Sequence, residues 1–246
     1  MISWNQWLIV VPARMHSTRL PRKPLVDLGG LPMIVKVYQR LEPFKLRGAT
    51  LVVATDDDDI LQVCQKHNVP VQMTDSAHKS GTDRCAEVAA RYPLPFILNV
   101  QGDEPFVDLT DLEGLLTKME KDGDPMGTMV HRNHHPEDYK NANCVKAVMN
   151  DQGKALYFSR SPLPYYRDPE NFEAFWQHIG VYAFTKKGLL EFCSLPQHPL
   201  ELAESLEQLR ALGHGLSIAM TEAKSPSLGI DTPQDLEAAR ARIRTP

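Results

Sequence analysis

The chain has 246 residues, 42% of them hydrophobic and 24% charged, with a formal net charge of -4. Those proportions belong to a soluble globular protein with room for a substantial core, and the lack of a basic excess argues against a general nucleic-acid binder. The longest apolar runs are a few residues, against the ~20 that insert across a membrane. The N-terminus lacks the pattern of a signal peptide. Cys64, Cys85, Cys144 and Cys193 form no C-x-x-C pair, so reduced thiols are expected rather than a zinc site.

Met1 to Trp7 reads as a lead-in, with Trp4 and Trp7 packed on the body. The apolar run 8–11 predicts a strand. Met33, Ile34, Val37, Tyr38 and Leu41 share one helical face, with Pro32 suited to the first turn and Pro43 ending the helix. A strand is expected at 51–54. Asp56 to Asp59 crowd the start of a helix carrying Ile60, Leu61 and Cys64, where the helix dipole favours carboxylates. A short strand at 69–73 follows, then a helix introduced by Ser80-Gly81-Thr82, a strand at 96–100 and a helix marked by Leu112, Leu115, Leu116 and Met119. Such alternation predicts crossover connections and a mainly parallel α/β sheet, with ligands bound beyond the carboxyl ends of its strands.

After about Met126 the rhythm changes. Strands are expected at 145–149 and 155–158 around the turn Asp151-Gln152-Gly153, and at 179–184. Residues 161–175, rich in proline and aromatics, read as a long loop. A helix at 200–212 with Gly213 as its C-cap, a strand at 216–220 and a strand-like stretch at 228–230 complete the pattern. Thr232-Pro233-Gln234-Asp235 opens the last helix as a capping box. A single domain, 1–246, with an inserted arm near 155–195, is the expected organisation.

Arg14, Arg19, Arg22 and Lys23 follow the first strand, with Ser17 and Thr18 between them. Arginine forks, a lysine point charge and hydroxyls suit a polyphosphate, although a solvated basic loop has the same composition. Without glycine the loop is neither a Walker A loop nor a dinucleotide fingerprint, which disfavours a nicotinamide oxidoreductase. Asn99-Val100-Gln101-Gly102-Asp103-Glu104-Pro105 puts Asp103 at a strand end, where it suits Mg²⁺ or simply an acidic turn. Asp231 is a second acidic candidate. The 80–84 segment suits an anion at a helix start through Ser80 and Arg84, or a plain N-cap. His131, His134 and His135 lack a matching carboxylate pattern and are expected in a solvated loop.

Read in order, PAR-x-x-STRLP-x-KPL, ATD-x-x-D, H-x-SGT-x-R, NVQGDEP, ALYFSR, HIGVYAF, LEQLR and G-x-DTP-x-DLE resemble the 3-deoxy-manno-octulosonate (Kdo) cytidylyltransferases from about Leu8 to Arg242. That resemblance implies a Rossmann-like nucleotidyltransferase fold with a mainly parallel mixed sheet and an inserted dimerisation arm. It implies a cytoplasmic homodimer that converts CTP and Kdo to CMP-Kdo and pyrophosphate for lipopolysaccharide assembly. Arg14, Arg19 and Lys23 would hold the phosphates, with Ala13 and Arg14 near the base and Ser80 and Arg84 adding nucleotide contacts. Asp103 and Asp231 would bind Mg²⁺, making Lys23, Asp103, Asp231 and Arg19 the catalytic set. Gln101, Arg160, His178, Tyr182, Glu207 and Gln208 would bind the sugar acid. Two positions depart from the pattern: Arg22 stands where glycine is usual, and Leu31 where lysine is frequent. A cytidylyltransferase for a modified sugar such as 8-amino-Kdo, or a binding protein without turnover, remains as an alternative.

Overall fold

Two compact units make up the computed structural model, which describes residues 1–17, 19–226 and 228–244. Thr18, one of the two hydroxyls expected in the basic loop, lies outside the described residues. The first unit comprises residues 3–109 with the C-terminal residues 228–244, and the second comprises 110–226 with the first two residues.

In the first unit, the apolar run at 8–11 forms the middle of β1 (Trp7–Ala13), all of which is buried. Burial on both faces is the mark of an internal parallel strand. β1 lies between β2 (Thr50–Thr55) and β4 (Phe96–Asn99), parallel to both, and β3 (Val71–Met73) runs parallel to β2 at the edge. Helices α1 (Met33–Leu46), α2 (Asp58–Lys66) and α3 (Gly81–Ala90) supply the crossovers. Trp7 stacks on Phe96 and Trp4 lies against Phe44, so both tryptophans pack on the body as expected. Asp57 caps α2 by accepting the Asp59 and Ile60 N–H groups.

Pro43 does not end α1; the helix runs on to Leu46. Pro43 and Gln39, whose carbonyl loses its i+4 donor to the proline, are both exposed, so the unpaired carbonyl lies on the solvent side of the helix, where its loss costs least. Buried Leu41 and Phe44 carry the apolar face past the proline.

The second unit contains α4 (Leu109–Asp122), β5 (Met126–Asn133), α5 (Pro136–Lys140), β6 (Lys146–Met149), β7 (Ala155–Ser159), β8 (Phe175–Thr185), α6 (Lys186–Ser194), α7 (Pro199–Glu204), α8 (Gln208–Gly213) and β9 (Ile218–Ala223). β5 pairs antiparallel with β8 and parallel with β9. β6 pairs antiparallel with β7 and with β8. His131 is therefore not in a solvated loop. It lies on β5 with Nδ1 3.1 Å from the Ala223 carbonyl, while His134 contacts the Glu173 carbonyl and His135 precedes α5.

The single helix expected at 200–212 is two, α7 and α8, and Gly213 is the last helical residue rather than the cap. Ser205 breaks the helix at φ 50°, ψ 48°. Glu201 and Arg210, nine residues apart, would face opposite sides of a continuous helix about 13 Å apart along its axis. The break brings them into a buried bidentate ion pair at 2.6 and 2.9 Å. Burial alone would raise the Glu201 pKa, but Arg210 holds it below the ordinary value.

The 161–175 loop carries a short turn at Pro169–Asn171. Its Tyr166 and Phe172 pack on a separate cluster of Tyr139, Cys144 and Phe175. In the first unit, the stretch at 228–230 forms no strand, and α9 (Pro233–Arg244) opens as expected on the reciprocal Thr232–Asp235 capping box.

Candidate functional site

A cavity of about 420 Å³ opens in the first unit beyond the carboxyl ends of β1 and β4. Ala13, Arg14, Arg19 and Lys23 line it from the β1 side, Gln101, Gly102 and Asp103 from the β4 side, and Asp231 from the segment before α9. The two strand ends approach closely because residue 102 is glycine: a Cβ there would stand 2.9 Å from the Pro12 carbonyl oxygen. Asp231 reaches the same place because the Ile230 N–H donates to the Asp103 carbonyl at 3.0 Å. His16 also lines the cavity, which no motif-based signal had indicated.

Lys23 sits at the centre of the charge arrangement. Its Nζ bonds to Asp103 Oδ2 and lies 2.8 Å from Asp231 Oδ1, and Arg19 reaches Asp231 Oδ2 at 3.0 Å. Burial would lower the Lys23 pKa, but the two carboxylates outweigh it and hold the pKa above the ordinary lysine value. Burial likewise opposes ionisation of Asp231, while Lys23 and then Arg19 hold its pKa below the ordinary value. Two hard carboxylate oxygens thus already share one cation, and this donor set suits an oxygen-preferring divalent ion. Among the described residues, no group of three His, Cys, Asp or Glu side chains is arranged as a self-sufficient metal site.

Ser80 and Arg84 do not line the cavity. The Ser80 hydroxyl is engaged in the α3 capping box with Asp83. Arg84 is fully buried, paired with Asp56 at 2.8 Å and bonded to Thr74. Gln101 lines the cavity and donates to Asn99 Oδ1 at 3.0 Å.

The other residues expected to contact a sugar belong to the second unit. Tyr182, on β8, donates to Gln208 Oε1 at 3.2 Å, and its ring lies 5.5 Å from that of His178. Glu207 immediately precedes α8. Arg160, just past β7, is held by the α7–α8 corner through the Glu204 and Ser205 carbonyls. Burial raises the Tyr182 pKa.

His178 Nε2 lies 3.0 Å from Thr128 Oγ1, and that hydroxyl also approaches the Val181 carbonyl at 2.8 Å. Burial lowers the His178 pKa to about 3. An unfolded histidine takes up a proton below about 6.5, whereas this folded one does so only near 3, so its stabilising contribution is complete above the former value and lost as pH falls through the interval. Between about pH 7 and pH 5 the wild type should lose roughly 2 kcal/mol more stability than His178→Asn. Urea unfolding of both proteins at the two pH values measures this, and equal losses would contradict it.

The sequence profile of a family described as Cytidylyltransferase matches residues 8–218. The 3-deoxy-manno-octulosonate cytidylyltransferase of Wolinella succinogenes is 43% identical, over 94% of this chain and 97% of that protein. The protein of the same name from Geobacter sulfurreducens is 42% identical, over 96% and 98%. A solved CMP:2-keto-3-deoxy-manno-octonic acid synthetase, complexed with CTP, superposes with a TM-score of 0.90 at 40% identity, covering 97% of this chain and 98% of that one. The expected Rossmann-like nucleotidyltransferase fold is thereby borne out. With identity of this order along nearly the whole length, in sequence and in structure, the chain belongs to the 3-deoxy-manno-octulosonate cytidylyltransferase family.

Proposed function

We propose that this chain transfers the cytidylyl group of CTP to the anomeric hydroxyl of Kdo, giving CMP-Kdo for lipopolysaccharide assembly and pyrophosphate. The observation that carries the reading is the convergence of Arg19, Lys23, Asp103 and Asp231 on one cavity at the strand ends, in a chain whose relatives bear that activity in their names.

Arg14, Arg19 and Lys23 bind the triphosphate and offset its charge, and Ala13 lies against the base. Arg160, Gln101, His178, Tyr182, Glu207 and Gln208 bind and orient the sugar acid. The anomeric oxygen attacks the α-phosphorus in line, the new P–O bond forms, and the bond to the β-phosphate oxygen breaks. Pyrophosphate leaves, and the sugar hydroxyl's proton passes to solvent. No protein nucleophile takes part; positioning and charge neutralisation supply the rate. Mg²⁺ held by Asp103 and Asp231 would neutralise phosphate charge and template the displacement. Asp103 and Asp231 support that assignment by offering converging oxygens in the same cavity as the phosphate-binding cations.

The reading extends to a homodimer paired through the 155–195 segment, supported by the exposed Leu156, Tyr165 and Leu190, and to action in the cytoplasm. No described helix is long and apolar enough to cross a membrane.

Pyrophosphate release from the purified protein tests the reaction, with CTP, Mg²⁺ and Kdo each omitted in turn and 8-amino-Kdo run in parallel. Release only in the complete Kdo mixture is expected. A clear preference for the amino sugar would reassign the substrate, and CTP binding without release from either sugar would point to a binding protein.

A further inference from the structure

Arg160 is held in an unusual electrostatic setting. Its Nε donates to the Glu204 carbonyl at 2.6 Å, one terminal nitrogen to the Ala142 carbonyl at 3.0 Å, and the other to the Ser205 carbonyl at 3.3 Å. All three acceptors are neutral. A guanidinium has five N–H donors, so one hydrogen on each terminal nitrogen is without a partner among the described residues. The guanidinium thus keeps donors for a charged acceptor, and a carboxylate is the partner it bonds most strongly. Nor does any carboxylate of the described residues form an ion pair with this guanidinium.

What fixes the fork is Glu204, the last residue of α7. Its carboxylate accepts the buried Ser159 hydroxyl at 2.6 Å through Oε1 and the Arg160 backbone N–H at 2.9 Å through Oε2. The backbone carbonyl of the same residue takes Arg160 Nε. Glu204 therefore grips both the main chain and the side chain of Arg160. It ties the end of β7 to the corner that leads directly into Glu207 and Gln208. Ser205, in the left-handed conformation, turns its carbonyl onto the guanidinium at that corner. On the other side, buried Lys146 donates to the Arg160 carbonyl at 2.7 Å, as well as to those of Asn141 and Cys144.

We propose that Glu204 is a positioning residue for the sugar acid: it sets the separation between the Arg160 guanidinium and the Glu207–Gln208 corner without touching the substrate itself. The proposal rests on the reading that Arg160 binds the sugar carboxylate. It gives Glu204 a role that the recognition motifs do not, since Glu204 lies just outside LEQLR.

Steady-state kinetics with CTP and Kdo separate this role from general stabilisation. Glu204→Ala should raise KM for Kdo about tenfold or more, in line with loss of hydrogen bonds that orient a charged group, while KM for CTP stays within about twofold. Glu204→Gln should recover most of the Kdo affinity, because its carbonyl can accept the Arg160 N–H while its amide donates to Ser159 Oγ. Ser159→Ala removes only one arm of the clamp and should raise KM for Kdo about threefold, which keeps the test available if Glu204→Ala does not fold. The proposal is overturned if Glu204→Ala leaves KM for Kdo unchanged, if KM for CTP rises in parallel, or if Glu204→Gln is as impaired as the alanine variant. Should Glu204→Ala fail to fold, a Ser159→Ala variant with wild-type KM for Kdo overturns it instead. Arg160→Ala, run alongside, isolates the underlying reading: an unchanged KM for Kdo in that variant would remove Arg160 from the sugar site, whatever Glu204 does.

Discussion

Substitution of Asp103 by alanine should lower turnover about a thousandfold or more, the scale seen when a group that stabilises developing charge is removed from an active site. The fold should survive. Asp103 makes its structural contact through the main chain, by accepting the Ile230 N–H, and alanine keeps that carbonyl. Its carboxylate, by contrast, is directed into the cavity at Lys23. Losing it leaves the lysine with Asp231 alone, 2.8 Å away, and takes away one of the two oxygens proposed to hold the divalent ion. Pyrophosphate release at saturating CTP and Kdo, with a thermal melt beside it, checks both halves of the expectation. A folded variant with wild-type turnover would remove Asp103 from the reaction. An unfolded one would show that the carboxylate carries a structural load that the geometry does not indicate.

Gly188→Ala should be among the most destabilising single-methyl changes in the chain. Gly188 is buried in the first turn of α6, where its N–H donates to the Thr185 side chain. A Cβ there would stand 2.1 Å from the Pro125 carbonyl oxygen and 2.6 Å from its Cα. Neither side can yield cheaply. The obstacle is proline backbone rather than a flexible side chain, and Thr185 N–H is itself bonded to the same Pro125 carbonyl. Overpacking of this kind costs about 3 kcal/mol, against about 1 kcal/mol gained from alanine's better helix propensity. The net loss should lower the melting temperature by about 4–8 °C. The contrast is Gly114, exposed within α4 with nothing inside 4 Å of its notional Cβ. There alanine should stabilise by up to about 1 kcal/mol. Calorimetry on the pair tests the reasoning, and a stabilised Gly188→Ala would refute it.

Much of the first unit was legible in the sequence because its strands are buried on both faces and its helices are amphipathic. β1 and its neighbours appear as apolar runs, and the caps at Asp57, Ser80 and Thr232 are written in side chains that accept local N–H groups. The second unit was harder to read. β5 begins Met126-Gly127-Thr128 and ends His131-Arg132-Asn133, so neither alternation nor an apolar run announces it. Its Thr128 hydroxyl is used at a bulge in the β5–β8 pairing. The α7–α8 break was hidden because the apolar spacing continues across it, and only the long-range Glu201–Arg210 pair shows why the chain turns.

At the site, the basic loop and the strand-end Asp103 were visible as local patterns. That Asp231 meets them depends on one backbone hydrogen bond between residues far apart in sequence. Arg84 is the opposite case. A cation in the first turn of a helix resembles an anion contact, but its direction is set by Asp56 and Thr74, which local sequence does not reveal.

Arg22 carries a consequence for how ligand is received. It stands in the left-handed region at φ 54°, ψ 32°, between Arg19 and Lys23 and at the position where glycine was expected. A side chain in that conformation costs about 1 kcal/mol. Glycine would avoid the strain but would surrender a comparable amount through the greater freedom of the unfolded chain. The two choices nearly balance in stability and differ in stiffness. With arginine, the segment between Arg19 and Lys23 has fewer backbone conformations to sample, and Arg22 is further tethered to Asp59 at 2.8 Å. Part of the ordering entropy that a ligand of the cavity would otherwise have to extract from this segment is thus spent during folding, which leaves the segment preorganised.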